Sequence, residues 1–297
     1  MWIERKTEHI NEVIRTVNEN HGTSYKILNR YDKGEWGAYR IAEPGKNPVV
    51  LKFFTDLSNT NIVDPDPELA TEITDRLLLL DYPVPKYIYS GRLGQGIYWV
   101  QQELPGKPLW QSPTVEQIEK VLSFLLLQKN QAVSEKQNYS LIVKDTVFGD
   151  RLDGLRSIQN SSPEMSEFLD NLRFSVKDLR ALPLPNSDIV HGDFSYHQVM
   201  VDDGKITGII DWQEAGCGDW FVDLTRLIYS LHDRPQLANP IIKYVKQEDL
   251  AKIRLYTAFT AIEMLLWPLR QNQMNIENAF NKAKSAINFV FVKNCTY

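Results

Sequence analysis

One segment of the chain concentrates side chains whose types and spacing can do chemistry. It reads Val190-His191-Gly192-Asp193-Phe194-Ser195-Tyr196-His197-Gln198, followed by two apolar runs, residues 199–201 and 206–210, and then Asp211. Asp202-Asp203-Gly204-Lys205 lies between the runs, and Asp-Gly between β-branched stretches is the composition of a tight hairpin turn. With Val201 opposite Ile206, Gln198 is expected to face Ile209, so that its amide and the Asp211 carboxylate emerge at the same end of the hairpin. Asp193 sits in the loop just before that end. Oxygen donors at a hairpin mouth suit a hard divalent cation, and a separate carboxylate beside them suits proton transfer. A lone Asp after Gly is ordinarily a turn or cap residue that binds nearby backbone amides. Three matched positions argue for more than that. His191 reads as structural, an imidazole beneath the loop that bonds backbone carbonyls.

This arrangement resembles the catalytic loop and metal-binding hairpin of the aminoglycoside phosphotransferase family, whose pattern is His-Gly-Asp, four residues, Asn, then a hairpin ending in Ile-Asp. Hygromycin phosphotransferase-like members are the most similar, since residues 212–224, from Trp212 through Glu214, Gly218 and Asp219 to Asp223 and Leu224, continue the resemblance. It implies a bilobal, protein-kinase-like α+β fold, with an antiparallel β-sheet N-lobe carrying one main helix and a mostly helical C-lobe. It also implies Asp193 as catalytic base, Gln198 and Asp211 as Mg2+ ligands, and ATP or GTP as the phosphoryl donor. Gln198 stands where the family has Asn. The amide oxygen is the same on a stem one methylene longer, so coordination is expected at a shifted position or through water.

The elements that must position these groups are legible as periodicities. Helical spacing over residues 8–18, with Ile10, Ile14 and Val17 on one stripe, precedes strand-like stretches at 24–31, 37–42 and 48–54. A helix over 66–80 is closed by Pro83 and Pro85, and strands at 87–90 and 97–103 complete a small antiparallel sheet. From Thr114 onward the texture is mostly helical. Two lobes follow, residues 1–104 and 105–297; the resemblance implies that the first binds the nucleotide and that the second carries the catalytic loop, the metal hairpin and the acceptor pocket.

Lys52 interrupts an otherwise apolar strand, and a buried ammonium requires a partner. On the following helix Leu69, Ile73, Leu77 and Leu80 define an inward face with Glu72 at its border and Glu68 turned further towards solvent. Glu72 is therefore the expected partner, and the family resemblance gives the pair the task of holding nucleotide phosphates. Gly34 and Gly37 lie where a loop would cover those phosphates, without the three-glycine signature of protein kinases. Residues 99–106 resemble the family's interlobe hinge, which assigns adenine contacts to the Gln102 carbonyl and the Leu104 amide.

Composition is that of an ordinary globular enzyme of 297 residues with a formal net charge of −5, which speaks against nucleic acid as a partner. Cys217 and Cys295 have no neighbour at metal or redox spacing, and the start of the chain lacks the apolar run of a signal peptide. No apolar stretch is long enough for a bilayer, so a cytoplasmic protein without a membrane partner is expected; the oligomeric state is not legible. Asp219 and Asp223 read as helix-capping or first-turn residues. Glu214, close to the metal end of the hairpin, and Glu263, Trp267 and Arg270 on the last helices are the candidates to meet a small-molecule hydroxyl acceptor. The resemblance makes an aminoglycoside or related antibiotic the leading acceptor, with a choline- or homoserine-like metabolite as the alternative. A regulatory nucleotide-binding pseudokinase is a further alternative, prompted by Gln198. A protein kinase is disfavoured because the Asp-Phe-Gly and Ala-Pro-Glu elements are missing.

Overall fold

The computed structural model describes residues 9–31, 38–54, 65–94, 96–149, 153–270 and 276–293. Helix α1 (Ile10–His21) buries Ile10, Val13 and Val17 at helical spacing and ends on Gly22, whose left-handed φ of 61° lets its N–H reach the Asn18 carbonyl. Strands β1 (Lys26–Arg30), β2 (Ala38–Ala42), β3 (Val49–Phe54), β4 (Tyr87–Leu93) and β5 (Gly96–Gln102) form one antiparallel sheet in the order β1-β2-β3-β5-β4. Between β3 and β4, helix α2 (Pro67–Leu78) starts where Asp66 caps the Leu69 N–H at 3.0 Å and Pro67 takes the first turn.

Alternation along the strands sends side chains to two cores. Tyr39, Ile41, Leu51, Phe53, Tyr98 and Val100 pack with α1. Phe54, Ile97 and Trp99 face the other way, onto α2, in a cluster that continues into the helical part of the molecule. Lys52 lies between Leu51 and Phe53, so it shares the second face with Phe54 and points into the space between the sheet and the helices. Its Cα neighbours across the sheet are Ala38 and Trp99.

The connector after β5 is fastened to the hairpin. β6 (Lys107–Pro108) pairs with β8 (Val199–Asp202), which pairs in turn with β9 (Lys205–Ile209). Gly106, at φ +103°, leaves no room for a side chain, because a Cβ there would lie 2.2 Å from the Val201 carbonyl oxygen. The Thr207 hydroxyl donates to the Pro105 carbonyl at 2.6 Å. Helix α3 (Val115–Leu125) opens with a full capping box between Thr114 and Gln117. Helices α4 (Tyr139–Phe148), α5 (Asp153–Gln159) and α6 (Pro163–Ser175) follow, then β7 (Asp188–Val190), the hairpin, and β10 (Gly216–Gly218) antiparallel to β7. Helices α7 (Phe221–Ser230), α8 (Pro235–Tyr244), α9 (Leu250–Arg270) and α10 (Ile276–Asn288) complete the described chain. Among the described residues no helix is long and apolar enough to cross a membrane.

Candidate active site

The hairpin forms where expected, with one correction. Val201 does face Ile206, but Met200 faces Gly208 and Val199 faces Ile209, so a bulge takes up Thr207, the residue whose hydroxyl is tied to Pro105. Gln198 consequently lies beside Ile210, whose N–H donates to the Gln198 carbonyl at 2.9 Å. The shift brings Gln198 one residue closer to Asp211. Asp211 itself sits in the left-handed region (φ 75°, ψ 46°), an uncommon conformation for a residue with a side chain and one that clusters at functional sites.

Across the cleft Lys52 forms an ion pair and hydrogen bond with Asp211, the side chains being 17% and 26% exposed. This replaces the expected Lys52–Glu72 pair. Ala70 and Thr74 are buried along with Leu69, Ile73 and Leu77, which turns the packed face of α2 away from Glu72 and leaves that side chain exposed. The negative charge of Glu72 instead raises the pKa of Lys136, behind the larger influence of Asp66.

The backbone of the loop over residues 191–193 is held from below. His191 is fully buried; its Nε2 lies 2.8 Å from the Ile210 carbonyl, and its Nδ1 accepts from the Asp193 N–H at 3.3 Å, which fixes the proton on Nε2. Burial lowers its pKa and keeps the ring neutral. Asp223 accepts from the backbone N–H groups of His191 at 2.7 Å and Gly192 at 3.0 Å, and from Gln128 Nε2 at 2.7 Å. Its place in the first turn of α7 thus serves the loop and not only the helix dipole. Burial pushes its pKa up against the pull of those partners. Gly192, at φ +87°, is required: a Cβ there would lie 1.9 Å from the Tyr139 hydroxyl. Asp219 caps the Phe221 N–H at 3.0 Å and binds Tyr256 and Lys252, as a structural residue.

Asp193 emerges above this base with half of its side chain (49%) open to the cleft. Gln198 Nε2 donates towards its Oδ2 at 3.5 Å, while Gln198 Oε1 accepts from the Ser195 hydroxyl. Partial burial and then the negative charges of Glu214, Asp211 and Asp223 push the Asp193 pKa up to about 7, opposed by Arg226. Water at the open half of the side chain tempers the burial contribution. Arg226 projects from α7, is 7% exposed, stands 3.8 Å from Asp193 Oδ1 and is ion-paired with Glu263. Burial works against its charge, but Glu263 and then Asp193 outweigh it and raise its pKa.

The structure therefore brings Lys52, Asp211, Gln198, Asp193 and Glu263 to one cleft. Glu214 joins them through its charge, and its carbonyl accepts from the Tyr139 hydroxyl at 2.8 Å. Trp267 is half-buried one turn beyond Glu263 on α9. Gln102 ends β5 with its N–H on the Lys86 carbonyl at 2.9 Å and its side chain exposed. Leu104 packs on the hairpin, where a Cβ on Gly208 would lie 2.0 Å from its Cδ1. Gly34 and Gly37 lie outside the described residues. Neither Arg226 nor Asp223 stands out by motif as an active-site residue. The signal for Arg226 is the one that marks Lys52, a cation inside an apolar run, Leu224-Thr225-Arg226-Leu227-Ile228.

The donor set fits a divalent cation that takes much of its shell from elsewhere. Among the described residues no group of three or more His, Cys, Asp or Glu side chains forms an all-protein cage. Mg2+ is typically held by one or two carboxylates with phosphate and water completing its shell, and Asp211 and Gln198 are the residues that would hold it here, in exchange for their present partners Lys52 and Ser195.

A model of a family described as "Phosphotransferase enzyme family" matches residues 34–256. Hygromycin-B 4-O-kinase of Escherichia coli is 32% identical over 77 residues, which span 26% of this chain and 20% of that protein. Aminoglycoside 3'-phosphotransferase of Escherichia coli is 26% identical over 210 residues, covering 63% of this chain and 75% of that protein. Among solved structures, a thermostable mutant of aminoglycoside phosphotransferase APH(4)-Ia in ternary complex with AMP-PNP and hygromycin B aligns with a TM-score of 0.70 at 16% identity, over 94% of this chain and 99% of that one. Choline kinase LicA from Streptococcus pneumoniae aligns with a TM-score of 0.69 at 14% identity, over 94% and 99%. At such identities the likeness to the solved structures is one of fold, the bilobal kinase-like α+β arrangement expected from sequence.

Proposed function

Because this chain belongs to the phosphotransferase enzyme family, we propose that it is a small-molecule kinase that moves the γ-phosphoryl group of ATP or GTP to a hydroxyl. The observation that carries the reading is the meeting of Lys52, Asp211, Gln198 and Asp193 in one cleft between the sheet and the helices. Residues 1–104 form the nucleotide-binding lobe and residues 105–297 the lobe that receives the acceptor. Lys52 offsets phosphate charge, and the main chain at Gln102 and Leu104 reads the adenine edge. Asp193 orients the acceptor hydroxyl for in-line attack on the γ-phosphorus and takes its proton as the new P–O bond forms and the bond to the leaving diphosphate breaks. No covalent intermediate on the protein is needed. Asp211 and Gln198 hold Mg2+, which when bound neutralises charge on the transferred group.

The acceptor we favour is an aminoglycoside or related antibiotic, supported by the two curated relatives, and the compartment we propose for the reaction is the cytoplasm. Glu214 and Trp267 line the acceptor side. A metabolic hydroxyl acceptor is the second reading, supported by the shared fold of choline kinase LicA. Incubation with ATP or GTP, Mg2+ and a panel of aminoglycosides, choline-like and homoserine-like alcohols, read by mass spectrometry, tests both. A phosphorylated antibiotic together with resistance in a susceptible bacterium supports the first reading; a phosphorylated metabolite alone supports the second. Neither transfer nor nucleotide hydrolysis above background leaves the pseudokinase reading.

A further inference from the structure

We propose that Arg226 is a positioning residue for phosphoryl transfer, holding the Asp193 carboxylate from the side opposite Gln198, and that Glu263 anchors Arg226 in that place. The inference rests on the reading of Asp193 as the base.

Arg226 has the surroundings of a group kept for its charge. It is 7% exposed, its guanidinium carbon lies 5.6 Å from the centroid of the Phe259 ring, and its Nε has no hydrogen-bond partner. A buried guanidinium with an unsatisfied N–H is costly, and an apolar side chain of similar volume packs such a position at least as well. Its stabilising partners are two carboxylates from distant parts of the chain, one on the catalytic loop and one on α9.

The two contacts differ in kind. Nη2 makes a close charged hydrogen bond with Glu263 Oε2, whose side chain is 11% exposed, and this fixes the guanidinium against α9. Nη1 stands 3.8 Å from Asp193 Oδ1, near enough for strong Coulomb attraction and too far for a hydrogen bond that would occupy the oxygen. Gln198 Nε2 approaches Oδ2 at 3.5 Å from the other side. The carboxylate is thus oriented from two directions while keeping lone pairs for an incoming hydroxyl. The Glu263 charge, expected from sequence to face the acceptor, is answered inside the protein by Arg226.

Four variants test this: Arg226→Gln, Arg226→Lys, Glu263→Gln and the double variant Arg226→Gln/Glu263→Gln, with Asp193→Ala as reference. Each is measured for kcat, KM of nucleotide and acceptor, Mg-nucleotide binding by calorimetry, and thermal melting. Arg226→Gln is expected to lower kcat about 30- to 300-fold with nucleotide KM within about threefold, because the interaction acts on the base and not on the nucleotide. Arg226→Lys should regain about tenfold by restoring the charge without the fork, and Glu263→Gln should lower kcat about tenfold. The double variant should be no worse than Arg226→Gln, since both changes act through one contact. A kcat within about threefold of wild type in Arg226→Gln overturns the proposal, as does an Arg226→Lys variant as impaired as Arg226→Gln with additive Glu263 effects. If Arg226→Gln does not fold, Glu263→Gln and Arg226→Lys decide: loss of kcat at unchanged nucleotide KM supports the role, and parallel loss of both overturns it. Turnover surviving in Asp193→Ala removes the base assignment itself. Turnover abolished there but intact in Arg226→Gln removes only this inference.

Discussion

Of the carboxylates brought to the cleft, Asp211 and Asp193 are held in different ways. At the end proposed to hold Mg2+, Asp211 closes a hairpin in a left-handed backbone conformation and is paired directly with Lys52 from the sheet. At the end proposed to receive the acceptor, Asp193 sits in a loop, half open to the cleft, with its cation Arg226 at 3.8 Å and a second carboxylate, Glu263, holding that cation back. Asp211 meets its cation directly, in an ion pair and hydrogen bond that cross from the hairpin to the sheet. Burial first, and then the charges of Glu214, Asp211 and Asp223, only partly offset by the more distant Arg226, lift Asp193 to a pKa of about 7, where it can accept a proton near neutrality. Under the proposed function, the difference between the ends is a division of labour that follows which cation each carboxylate meets and how closely.

The comparison breaks most severely at Asp193. Asp193→Ala should lower turnover by about 10²- to 10⁴-fold while Mg-nucleotide affinity, measured by calorimetry, stays close to wild type. At the other end Lys52→Met should act on the nucleotide. It should weaken nucleotide binding by roughly tenfold or more, because a charge-assisted phosphate contact is lost, and a variant that binds as tightly as wild type would remove Lys52 from the site.

A pH profile sharpens the contrast. Asp193 must be ionised to take a proton and its pKa is raised to about 7, so below that pH the protonated, inactive fraction grows. The kcat/KM of the free enzyme should fall about tenfold per pH unit below about 7 and level off above it; a profile flat from pH 5 to 8 would place the raised group elsewhere. The smallest effect is expected at Glu72. Because that side chain is exposed and off the packed face of α2, Glu72→Ala should change stability by less than about 0.5 kcal/mol and turnover by no more than about twofold. A large loss in that variant would restore Glu72 as the partner of Lys52.

What was legible in the sequence follows from how local its causes are. The strands, the cap at Asp66 and the Asp-Gly hairpin are decided by residues within a few positions of one another, and they form within two or three residues of the expected bounds. The hairpin register failed by one residue at Gln198. Its bulge at Thr207 goes with a hydroxyl bond to Pro105, about a hundred positions away, which no local pattern announces. Glu72 failed for a related reason: the inward face was drawn from large apolar residues, and the burial of Ala70 and Thr74 shifted it. The roles of Asp223 beneath the catalytic loop and of Arg226 beside Asp193 depend on helices meeting across the lobe. They become visible only when a buried charge in an apolar run is treated as a question about its partner.

The division between the two ends is tested most directly by titrating Mg2+ against nucleotide binding in two isosteric variants, Asp211→Asn and Asp193→Asn. The account predicts that Asp211→Asn loses the Mg2+ dependence of nucleotide affinity, whereas Asp193→Asn keeps it and loses transfer alone. Retained Mg2+ dependence in Asp211→Asn, or its loss in Asp193→Asn, would contradict the assignment of the two carboxylates.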